Sequence, residues 1–151
     1  MLRDEINSSL REAMKARDER RVSTLRLVNA AITNADIEAQ MQGKPELADE
    51  ALLGVLQKMI KQRQESIDIY DKAGRRDLAD RERGEAEIIR AYLPRQMSEA
   101  EAKAVIADVI EATGAQGIRD MGKVMGALKQ RHAGKMDFAK ASGWVKALLT
   151  G

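Results

Sequence analysis

Cysteine is absent from the 151 residues. Its absence excludes a disulfide scaffold, thiolate-bound zinc, iron–sulfur ligation and a cysteine nucleophile. There is one histidine, His132, so no histidine pair can share a metal, and it reads as a polar loop residue. Only four residues are aromatic and two are proline. No apolar run approaches the ~18 residues that cross a bilayer, and the N-terminus opens on charges. Neither a membrane span nor a signal peptide is therefore expected, and the chain reads as cytoplasmic. A phosphate-cradling glycine loop, a HExxH pair and a calcium loop are all missing. Ser8, Ser9, Ser23, Ser66, Ser98 and Ser142 lie in no glycine-flanked elbow or serine–lysine motif. No catalytic residue, metal site or cofactor is readable. Charge of one sign is also lacking: 26 basic against 24 acidic residues leave +2, so any basic surface must be local.

What the chain does have is helix formers. Ala, Glu, Lys, Leu and Arg make up 75 of 151 residues, and no segment alternates with the period of a strand. The expected class is all-α. Leu2, Ile6, Leu10 and Met14 recur every four residues and mark a first helix to about Arg17. Asp18 is placed to cap a second, with Val22, Leu25, Val28, Ile32 and Ala35 on its face. It ends at Gly43-Lys44-Pro45. A third, about Ala48 to Ala73, carries Leu52, Leu56, Met59, Ile60, Ile67 and Tyr70 and closes at Gly74. A fourth, about Arg76 to Tyr92, has a charged first half and then Ile88 and Ile89.

The strongest break is Leu93-Pro94, followed by a capping box of Ser98 and Glu101. It divides the chain into a long-helix N-terminal bundle, 1–93, and a compact three-helix C-terminal domain, 94–151, joined by a short hinge. The three later helices are expected at about Glu99–Thr113, Arg119–Arg131 and Asp137–Leu149.

The positive charge gathers in the last two helices. Residues 115–151 hold seven cations (Arg119, Lys123, Lys129, Arg131, Lys135, Lys140 and Lys146) against Asp120 and Asp137. At about 100° per residue, Met121, Val124, Met125 and Leu128 form the packing side of helix 119–131. Arg119, Gly122, Lys123, Gly126, Lys129 and Gln130 fall opposite. Two glycines on the exposed side of a short helix cost on the order of 1 kcal/mol each relative to alanine. They suit close approach by a phosphate backbone or a partner helix, or tight packing by a helix of the same chain. Arg131 and Lys135 add cations in the following turn. Phe138 and Trp144 read as core of the small domain.

Arg63 falls amid the apolar side of the third helix, where a guanidinium needs a carboxylate. Asp36, at the edge of the second helix, is the expected partner in a structural ion pair. A catalytic carboxylate pair clamped by an arginine has no loop-borne constellation to support it.

Several stretches resemble the YqeY family: Thr24–Ile32, Leu56–Arg63, Ile67–Asp77, Tyr92-Leu93-Pro94 and Asp120–Gly126. The similarity runs in order along essentially the whole chain. The family's C-terminal part is similar to the tail domain of GatB, a subunit of the tRNA-dependent Asp/Glu amidotransferase. That tail is a helical tRNA-binding module, and the chemistry resides in other parts that this chain does not have. The resemblance thus implies tRNA contact by Arg119, Gly122, Lys123, Gly126, Lys129, Arg131 and Lys135; it does not imply catalysis by the chain itself. It also carries the parent class, carbon–nitrogen ligase with glutamine as amido donor, and partners among amidotransferase or other translation proteins. Two rival readings stand beside it: a subunit or participant in glutamine-dependent amide transfer on misacylated tRNA, which would need partner subunits, and a helical protein–protein adaptor. The oligomeric state is left at monomer or homodimer. One departure stands out: after Gly134-Lys135 the family commonly has a charged stretch with Asp-Gly, where this chain has Met136-Asp137-Phe138.

Overall fold

Helix ends in this chain are set by local chemistry. The Asp18 carboxylate accepts the Arg21 N–H at 3.2 Å and opens the second helix. At Ser98 the capping box forms: its hydroxyl accepts the Glu101 N–H, and the Glu101 carboxylate accepts the Ser98 N–H. The first helix ends at Arg17, a non-glycine residue in the left-handed region with φ 55°. A computed structural model describes residues 1–150 and places seven α-helices among them: α1 (Leu2–Ala16), α2 (Glu19–Met41), α3 (Asp49–Lys72), α4 (Arg76–Arg90), α5 (Glu99–Thr113), α6 (Met121–Arg131) and α7 (Phe138–Thr150). A 3-10 turn, Ile118–Asp120, leads into α6. No strand occurs among the described residues, so the protein is all-α.

The chain divides into two compact units, Met1–Leu93 and the part from Pro94 onward. In the first, α1–α4 enclose Ile6, Leu25, Val28, Leu52, Leu56 and Ile89, all fully buried. Each such side chain contributes roughly 1.5–3 kcal/mol by leaving water. The most extensive pairing is α3 on α4. In the second unit, α5, α6 and α7 each pack on the other two around Ile106, Val109, Val124, Leu128, Met136, Ala141 and Val145. Phe138 and Trp144 pack against that core, and Lys103 Nζ lies 5.6 Å from the centre of the Trp144 ring.

The expected Arg63–Asp36 pair does not form. Arg63 faces α4, where its Nε donates to Glu85 Oε2 at 3.1 Å and its Nη1 to the Met59 carbonyl at 3.2 Å. Asp36 instead takes a two-pronged contact from Arg3, at 2.6 and 2.7 Å, and accepts the Leu47 N–H. Arg3 also donates to the Leu47 carbonyl. The reason is topological: α3 turns its Arg63 side to its hairpin partner α4, while Asp36 sits where α1 begins and the 43–48 segment returns. The Arg3 guanidinium, chiefly by hydrogen bonding, holds the Asp36 carboxyl below the usual carboxylate range.

Candidate functional site

The second unit builds a basic, unobstructed surface on α6. Val124 and Leu128 are buried and Met121 and Met125 pack partly against the core. Because α-helical geometry puts residues two positions away on the far side, Gly122, Lys123, Gly126, Lys129 and Gln130 are all exposed. Both glycines have room around them: a Cβ added at Gly122 or Gly126 would meet nothing within 4 Å. Tight packing by a helix of the same chain therefore does not explain them. Arg119 is exposed on the 3-10 turn ahead of α6, and Arg131 is exposed at its end. Among the described residues, no carboxylate lies within ion-pair distance of Arg119, Lys123, Lys129, Arg131 or Lys135.

The turn after α6 is held in place by the start of the unit. Gln96 Nε2 donates to the Gly134 carbonyl at 2.6 Å, and the Met97 N–H donates to the Lys135 carbonyl at 2.8 Å. Gly134 is buried with φ 76°, a left-handed conformation that glycine adopts without strain. Lys135 is thereby fixed at the backbone while its side chain stays half-buried. The loop departure at Met136-Asp137-Phe138 has a packing role: Met136 is buried in the core, and the Asp137 carboxylate accepts the N–H groups of Ala139 and Lys140 at the start of α7.

His132 lies between these cations. Its Nδ1 is buried without a hydrogen-bond partner among the described residues. Burial first, then the charges of Lys135 and Arg131, push the imidazole below its ordinary value. Folding therefore disfavours the protonated ring. The resulting stability is fully present above the ordinary histidine value of about 6.5 and falls as pH drops below it, until the folded-state value is passed. Thermal melts followed between about pH 7.5 and 5.0 should show this loss in the second unit, and His132→Gln should remove it. A wild-type melt flat over that range would contradict the assignment.

Sequence reasoning passed over α7. There Ala139, Gly143 and Ala147 follow one another at intervals of four on the exposed side, flanked by exposed Lys140 and Lys146. A Cβ at Gly143 also meets nothing within 4 Å. The small-residue spacing was the available signal, masked because alanine is the commonest residue of this chain. At the α3–α4 turn, by contrast, the charges are satisfied locally: Arg83 pairs with Asp71 and Asp80, and Arg75 with Asp77.

Comparison with known proteins gives a consistent picture. The family described as Yqey-like protein matches residues 3–149. The mitochondrial protein called Altered inheritance of mitochondria protein 41 of Lachancea thermotolerans is 38% identical over 107 residues, 70% of this chain and 56% of that protein. Its namesake in Pyrenophora tritici-repentis is 30% identical over 124 residues, 80% of this chain and 65% of that protein. An uncharacterized protein of Schizosaccharomyces pombe is 34% identical over 93 residues, covering 62% and 72%. The chain thus spans between about half and two thirds of the length of the first two. Their names carry a mitochondrial location, which does not fit the cytoplasmic expectation for this chain. No helix among the described residues is long and apolar enough to cross a membrane.

Proposed function

The chain belongs to the YqeY family, and we propose that its second unit contacts tRNA through the phosphate backbone, without catalysis of its own. The observation that carries this reading is the open exposure of Gly122 and Gly126 amid unpaired Lys123, Lys129, Arg119 and Arg131. A helix side with nothing protruding lets a backbone come close, and the flanking cations neutralise its phosphates. Shape and charge would dominate recognition, because Trp144 and Phe138 are engaged in the core and leave no stacking platform. In this reading, any link to glutamine-dependent carbon–nitrogen ligation runs through partner subunits acting on the same tRNA.

Fluorescence anisotropy of labelled bulk tRNA tests it. At about 50 mM salt we expect micromolar binding, and a log–log salt slope of about three to four as four or five phosphates are neutralised. Lys123→Glu should weaken binding about tenfold and lower the slope by about one. Absence of binding at low salt, or indifference to Lys123→Glu, would mean the surface serves another partner.

A further inference from the structure

The outer side of α2 is unlike any other exposed surface of this chain. Ser23, Leu27, Ala30, Asn34, Ile37 and Met41 follow at intervals alternating between four and three residues, and all six are exposed. Leu27 and Ile37 are each about half exposed and Met41 is 83% exposed. On the inner side, Leu25, Val28 and Ile32 are in the core. A helix apolar on both sides is one whose two sides are both meant to be covered. From Val22 to Ala35 the only charge is Arg26, in a chain that is 33% charged. The four-and-three spacing is the one that presents a straight seam to a facing helix.

The polar member of the seam says what covers it. Asn34 is seven residues from both Leu27 and Met41, at the seam's centre. Against an apolar partner its amide would be buried unsatisfied, costing about 1–3 kcal/mol. Against a second copy lying alongside in the same direction, it meets the same amide, and each side chain donates to and accepts from the other. Arg26 flanks the seam on one side and Glu38 on the other. A parallel two-fold pairing sets opposite flanks together, so like charges do not meet. We propose that α2 is the contact surface of a homodimer, packed parallel on the α2 of a second copy with Asn34 opposite Asn34. The seam spans about 27 Å on one helix, which puts the interface at the small end and the association at the weak end.

The absence of cysteine makes the test clean. Sedimentation of the full chain from about 5 to about 200 µM should show its mass rise from 16.7 kDa towards twice that value. Leu27→Lys with Ile37→Lys should stay monomeric throughout, with melting temperature nearly unchanged because both sites are half exposed. Asn34→Cys should form a disulfide-linked dimer under mild oxidation, while Lys58→Cys on the exposed side of α3 should not. A chain monomeric at the highest concentration overturns the proposal. So does a dimer that survives the double lysine substitution, or cross-linking equal at both cysteine positions.

Discussion

Glu85→Ala is expected to destabilise the first unit by about 3 kcal/mol, the largest loss from any single polar substitution in the molecule. Arg63 and Glu85 are both only 12% exposed, on facing sides of α3 and α4. Arginine does not shed its proton in a protein. Removing Glu85 therefore leaves a nearly buried guanidinium with only the Met59 carbonyl to receive it. The reverse change is milder: after Arg63→Ala, the Glu85 carboxylate retains Arg81, 3.8 Å away and largely in solvent, so the cost should be about 2 kcal/mol. Replacing both at once by Arg63→Met and Glu85→Leu should bring stability back to within about 1 kcal/mol of the parent, since apolar side chains of similar volume need no partner. Urea midpoints of the three variants check the order. Equal losses in all three would show that the uncompensated charge does not set the energy.

Alanine at the two open glycines of α6 should move stability and RNA affinity in opposite directions. Both positions are helical and both have free space, so the substitution meets no clash and lowers the entropy of the unfolded chain. Gly126, in mid-helix, should contribute about 1 kcal/mol of added stability, and Gly122, in the first turn, somewhat less. If a phosphate backbone lies against that side, the two methyl groups hold it off, and the double variant should bind tRNA about tenfold more weakly. Melting temperature and anisotropy on the same preparation decide it. Tighter folding with unchanged binding would separate the glycines from RNA contact. By contrast, Gly134→Ala should destabilise, because φ 76° is strained for any side chain.

The helices were legible because their punctuation is strong. Asp18, Pro45, Gly74, Pro94 and the Ser98–Glu101 pair each act through a local backbone group, which neighbouring sequence alone determines. Partner choice across helices is a different matter. Arg63 demanded a carboxylate, and Asp36 was assigned by assuming that α3 shows that side to α2. Glu85 was hidden in a run from Asp80 to Glu87 where charge alternates too densely to single one out. The α6 surface was readable from two glycines breaking a helical rule, whereas on α7 Gly143 alone breaks it and the alanines on either side do not. On α2 the strong inner stripe drew attention from Leu27, Ile37 and Met41, which repeat with their own period on the other side.

The placement of Trp144 has an optical consequence. It is the sole tryptophan, packed on the core of the second unit under Lys103, while both tyrosines, Tyr70 and Tyr92, lie in the first. Selective excitation of the indole thus watches one half of the molecule and is blind to the other. Helical circular dichroism, dominated by the longer helices α2 and α3, weights the opposite half. A denaturation curve recorded by both signals in one cuvette reads out two melting events separately, and superposition of the curves would mean that the halves melt as one.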